Sequence, residues 1–414
     1  MERHRWCSTV VAAAVASAGL GAQTRSVNVY VKESAGIRRT AYPVNARVPF
    51  PQGALADPAN TRLMNGEMET AAQIAAETKW RDGSIHWLAV DFNASIGPME
   101  SQTYRLEYGG EVKAAVGARG LTVAENADSI DVGRVRFNKS GAPLLASVKY
   151  RGEDIGRGAN GLTITDGAGK EHDLTNAEEL KVEVVKRGPL YVVIRYSGAI
   201  VVDASYRARF SMTAEMPNSK SWVKMTATVE DPGKQLKEIS FHTPLALGAL
   251  PWVWDFGTDH WTYGALRNPA DMVVLSEAVK TSGVHEWKVS TGSSGHEQTY
   301  ETGVDRSKVI RWGHLQDGKE VIAFVMETQG SPAGMYHITL AGDGQTAFRF
   351  APALPLAQHH LTVYEHYVAP PVQIGAATSP SSILNPLAAV CDRKQYNAAG
   401  VPAPRFYLKF WNAL

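Results

Sequence analysis

Apolar residues recur at every second position along most of this chain, and turn residues cut the alternating runs into lengths suited to strands. In "SVNVYVKES" Val27, Val29 and Val31 fall on one face, and in "QTYRLEYGG" Tyr104, Leu106 and Tyr108 do the same. "IDVGRVRFNKSG" has the polarity and glycine of a hairpin. Two apolar runs flank Arg187-Gly188-Pro189, and two more flank Pro217-Asn218-Ser219. Turns follow at Gln316-Asp317-Gly318 and Gly342-Asp343-Gly344, where glycine tolerates positive φ at little cost. Helical periods are scarce; "NAEELKVEVV" allows one helical turn. This pattern predicts an all-β, antiparallel protein built from sandwiches or barrels.

The 414 residues allow two or three domains at about 150 residues each, and a 44% hydrophobic content supports a sizeable core. The 42 basic and 41 acidic residues are well mixed, which argues against a nucleic-acid surface. Residues 1–22 read as a signal peptide. A charged Glu2-Arg3-His4-Arg5 precedes the apolar run "VVAAAVASAGL" and the small residues Gly21 and Ala22. That run is shorter than the ~20 residues a spanning helix needs, so the expectation is a secreted or periplasmic protein with no membrane span. Cys7 leaves with the signal, and Cys391 then has no partner for an intrachain disulfide.

Two composition shifts mark boundaries. "GGEVKAAVGARG", residues 109 to 120, is small and flexible, and alternation stops again at "VAPPVQIGAATSPSSILNPL", residues 368 to 387. Within the first block, Pro49-Phe50-Pro51-Gln52-Gly53 is followed by Trp80-Arg81-Asp82-Gly83-Ser84-Ile85-His86-Trp87. The second stretch is a hairpin. Trp80 and Trp87 are expected to pair across it, Asp82 and Ser84 to satisfy turn donors, and Gly83 to supply the φ angle. These roles are structural.

Together the two motifs resemble the exo-rhamnogalacturonan lyase-like family. The resemblance implies a small RIFT-type β-barrel over residues 23–115 and a large central β-sandwich over 120–370. In that family a large α/α toroid follows the sandwich. The resemblance therefore implies that residues 371–414 are a linker and the start of a truncated helical domain. A helical domain or partner chain would then complete the site.

A lyase of this type removes the proton α to a uronate carboxylate and expels the sugar at C4. It needs a base, a cation or donors for the carboxylate, and an acid near the leaving oxygen. "PWVWDFGTDHWTYGALRNP" holds these residue types in one place. His260 and Tyr263 are the catalytic candidates. Trp252, Trp254 and Trp261 would form a stacking wall with Tyr263, Asp255 and Asp259 would orient His260, and Arg267 would hold a carboxylate. The alternative is a long inter-strand loop whose aromatics pack on the sandwich. No His/Cys/Asp spacing matches a zinc site, so no metal ligand and no cofactor are predicted, and the use of a divalent metal stays open. Two function classes remain. One is a carbohydrate-active lyase acting on uronate-containing polysaccharide; the other is a non-catalytic carbohydrate-binding or structural β-module.

Overall fold

The computed structural model describes residues 24–140, 145–150, 153–154, 161–258, 262–305, 310–318, 320–328, 330–368, 380–407 and 410. Strands account for 59% of the chain and helices for 5%, and the strand pairs are antiparallel, as the alternation predicted. The signal peptide expected at residues 1–22 lies outside the described residues.

The larger unit is built on two sheets. The nine-stranded sheet runs in the order Ala177–Lys186, Tyr191–Val201, Arg207–Pro217, Trp222–Glu230, Gln358–Val368, Val321–Glu327, Trp312–Gln316, Trp252–Phe256 and Thr262–Leu266. An eight-stranded sheet, with Met272–Val279 and Thr346–Pro352 among its inner strands, lies against it. Inner-face residues of both sheets merge in one core, including Trp254, Phe324 and Met225 from the first and Leu275, Ile338 and Phe348 from the second. That is a sandwich: one face of each sheet is buried, and alternation leaves the other face of the nine-stranded sheet to other uses. A five-stranded sheet from Val123–Glu125 to Glu153–Asp154 covers one end.

The smaller unit pairs a five-stranded and a three-stranded sheet around Val29, Phe50, Leu88, Phe92 and Leu106. The two sequence motifs form one piece within it. Phe50 N–H donates to His86 O at 2.8 Å, Gly53 N–H to Ser84 Oγ at 2.9 Å, and Trp80 Nε1–H to Phe50 O at 3.0 Å. Gly83 sits at φ +85°, and Asp82 accepts from Ser84 N–H and Oγ–H. The expected Trp80–Trp87 pair does not form. Register shifts at Thr78 put Trp87 opposite Thr78, so Trp80 packs at a tilt on His86, centroids 4.0 Å apart, and Trp87 lies under Arg47.

Residues 380–407 hold two short helices, Pro380–Leu384 and Arg393–Ala398, and one strand. Ala388–Cys391 adds an edge strand beside Arg25–Lys32, with Val29 opposite Cys391. Leu387, Cys391 and Tyr396 join the small unit's core. Arg39 donates to the carbonyls of Ser382 and Asn385, both at 2.7 Å, while its own charge is met by buried Glu33. Buried among apolar groups, the Cys391 thiol is pushed up to about 12, which leaves it unreactive.

Candidate active site

The outer face of the nine-stranded sheet holds the candidate site. Residues directly opposite in an antiparallel pair share a face. The register links Tyr263 to Asp255, Asp255 to His314, His314 to Ala323, Ala323 to His366, and His366 to Trp222. Six strands thus contribute one residue each to a single row across the sheet. Their chain neighbours Trp254, Phe256, Leu315, Ile322, Phe324, Tyr367 and Val223 point the other way, into the core.

In that row His314 Nδ1 lies 2.8 Å from Asp255 Oδ1. The carboxylate accepts from Nδ1–H, which leaves Nε2 as the ring's available nitrogen. His366 Nδ1 faces the Ser221 hydroxyl at 3.4 Å. Both Nε2 atoms are buried and have no hydrogen-bond partner among the described residues. Burial pushes the His366 imidazole down to about 3, helped by the charge of Lys220, so it stays neutral at ordinary pH. The strands of His314 and His366 flank that of Ala323, which sets their backbones roughly 9–10 Å apart at normal strand spacing.

Aromatic and charged side chains surround the pair. Trp312 meets His314 edge-on at 5.8 Å, and its ring lies where a Cβ on Gly257 would sit, 1.8 Å from that position. Only glycine at 257 allows that close approach. Trp222 packs edge-on against Tyr364 at 5.5 Å. Glu215 accepts from Tyr191 OH at 2.7 Å and pairs with Lys224 at 3.2 Å. Burial raises the Glu327 carboxyl against the pull of Lys224 and Arg311. Ile383 and Leu384, from the short helix Pro380–Leu384, pack over Trp222, Tyr364 and Trp312.

The sequence candidates divide. Asp255 and Tyr263 fall on the row, Tyr263 at its exposed end. Trp252 and Trp254 do not form a stacking wall: both are buried in the core, because residues two apart on a strand share a face and this is the inner one. Arg267 is exposed at the far end of the same hairpin, in a turn where its N–H donates to Asp271 at 2.6 Å. Asp259, His260 and Trp261 lie outside the described residues. His314 and His366 were missed. Alternation in "RWGHLQ" and "VYEHYV" places each on a strand, but only the non-local pairing through Val321–Glu327 brings them to one row.

One other titratable cluster stands out. Glu277, His285 and Asp305 have ligand-type atoms within 4.8 Å of one another, and they are the only such trio among the described residues. Arg311 Nε sits 2.8 Å from Glu277 Oε2, and His285 Nδ1 lies 2.7 Å from Glu277 Oε1. A guanidinium therefore already occupies the place of a cation, and the cluster reads as a buried, charge-balanced brace.

No protein-family model matches this sequence, and no curated protein does. Two solved structures from Enterococcus faecalis share the fold: a protein in glycosyl hydrolase family 38 and an alpha-mannosidase. They match 89% and 88% of this chain, each at TM-score 0.55 and 10% identity. This chain spans 48% and 46% of their lengths, about half in each case. At that identity the likeness is one of fold.

Proposed function

We propose that this protein is carbohydrate-active and that the outer-face row moves a proton on a sugar, in the finer form a β-elimination on uronate-containing pectic polysaccharide. The observation that carries the reading is the Asp255–His314 pair, with the neutral His366 on the same row beyond Ala323. Asp255 fixes the tautomer, so His314 Nε2 offers a lone pair to a C–H proton. With the Ser221 hydroxyl donating to Nδ1, His366 carries its proton on Nε2 and offers a donor. In the elimination His314 takes the C5 proton. The C5–H electron pair becomes the C4=C5 bond, the C4–O bond breaks, and the leaving oxygen accepts a hydrogen bond from His366 and takes a proton from solvent, while His314 releases the C5 proton to solvent. The two tautomers thus suit opposite ends of one step. The shared fold with two carbohydrate-active proteins and the motif resemblance in the first unit favour a sugar as the substrate.

A second reading is favoured by one observation. Both Nε2 atoms are sealed from solvent, which suits a non-catalytic sugar-binding module whose histidines are structural. Elimination creates an unsaturated uronate that absorbs in the ultraviolet, so the assay is direct. On rhamnogalacturonan oligosaccharides we expect slow turnover that falls at least 100-fold in His314→Gln with little change in melting temperature. Absence of an ultraviolet product from the unaltered protein, or full turnover in His314→Gln, would overturn the enzymatic reading.

A further inference from the structure

A pocket of about 510 Å³ opens at the end of the sandwich, beside the His366 end of the row. That volume lies within the roughly 300–1,000 Å³ of small-molecule sites. Three cations line it: Arg134 from the turn between Ser129–Val132 and Val135–Asn138, Lys149 from the strand Leu145–Tyr150, and Lys220 from the turn before Trp222. No carboxylate lines it. Arg134 and Lys149 are adjacent across a strand pair, where Lys149 N–H donates to Arg134 O at 3.0 Å, and neither side chain joins an ion pair among the described residues. Lys220 Nζ is half-buried and donates to a neutral partner, the Thr40 carbonyl, at 2.9 Å. Burial, with Arg39 nearby, holds its pKa below the usual lysine range. Lys149 acts on the Asp131 carboxylate, but no carboxylate lines the pocket itself, so three cations in one wall favour an anion seated there.

The rest of the wall suits a sugar. Val135, Val148 and Met216 give an apolar floor, and Ser219 and Ser221 give hydroxyls. The wall is also preset. Gly120 has φ +150°, and a Cβ there would lie 2.6 Å from Pro189 O and 2.7 Å from Asn218 Nδ2, so the chain and the turn are clamped together. Ser221 joins the pocket to the row through His366.

We propose that this pocket binds a hexuronate unit of an acidic oligosaccharide, with Arg134, Lys149 and Lys220 facing its carboxylate and the apolar floor taking the C–H face of the ring. The sugar class rests on the carbohydrate reading above; the anion preference rests on the pocket alone. The site is tested by calorimetric titration of the full chain with trigalacturonate, with a neutral galactose trisaccharide and with inorganic sulfate. The same titrations are run on Arg134→Gln/Lys149→Gln, whose exposed positions spare the core. The expected result is binding of trigalacturonate that weakens with salt, falls at least tenfold in the double variant, and exceeds both controls at least tenfold. Equal binding of the neutral trisaccharide, no binding of trigalacturonate, or unchanged affinity in the double variant would each overturn the proposal. Sulfate binding as tight as trigalacturonate would reduce the pocket to a bare anion site and overturn its sugar assignment. The unaltered protein separates the two readings: trigalacturonate binding with no ultraviolet product keeps the pocket and removes the lyase chemistry.

Discussion

His366 is held in surroundings that oppose a charge: it is buried, the Trp222 ring lies 6.4 Å away, Lys220 is the nearby cation, and Ser221 is the partner of Nδ1. Its pKa falls from 6.5 in the unfolded chain to about 3 in the fold. Between those values the unfolded state binds more protons, so stability rises with pH across that window. The contribution is whole above about pH 6.5 and is lost progressively as pH falls toward 3, reaching on the order of a few kcal/mol. His366→Gln keeps a polar side chain of similar reach without that titration. Urea unfolding from pH 7.5 to 3.5 is expected to show a flatter stability profile in the variant. An identical slope in both proteins would mean that His366 is protonated in the native state.

At the scale of the element, the Trp80 hairpin is a clasp. Its indole is half-buried, donates to Phe50 O, and packs at a tilt on His86. It therefore ties the Pro49–Gly53 segment to the turn, and it lies in the smaller unit, away from the outer-face row. Trp80→Ala is expected to cost about 1–3 kcal/mol, less than the 3–5 of a fully buried tryptophan, because part of the ring already faces water. Oligosaccharide affinity should stay unchanged. Thermal melts and titrations on the same variant check both halves. A normal melt with lost binding would move the hairpin into the site.

For the whole molecule, the two units are joined through a few buried polar contacts. Gln73 reaches across: its Oε1 accepts from Leu190 N–H at 2.9 Å and Tyr191 N–H at 3.0 Å, and its Nε2–H donates to Tyr191 O at 2.9 Å. Lys186 and Asp91 add a bridge at 2.9 Å, and Asn93 meets Asn218 at 3.0 Å. Gln73→Ala strands two amide donors in a buried place, at about 1–3 kcal/mol each. Hydrogen exchange should rise at residues 188–191 and in the Ala72–Lys79 strand before it rises in the sandwich core. Exchange that stays slow at 188–191 would place the coupling elsewhere.

The alternation of Val27, Val29 and Val31, and of Tyr104, Leu106 and Tyr108, was enough to declare antiparallel strands, because side-chain period follows directly from backbone geometry. The Asp82–Gly83–Ser84 turn was legible for the same reason: its hydrogen bonds are local. Alternation also implied that Trp252 and Trp254 share a face, but not which face is inside; that was decided by the sheet packed against them. The sequence could nominate Asp255 and Tyr263 from their neighbours, yet it could not give Asp255 its histidine. His314 is 59 residues further along and His366 lies beyond another hairpin. The fate of residues 388–391 was hidden in the same way, since an edge strand added to Arg25–Lys32 leaves no mark in local composition. What the sequence determined by itself was everything set by period and turn chemistry. What only the tertiary structure decided was which distant strands lie side by side, because that choice depends on summed burial across both sheets and on the register it imposes on every residue in the row.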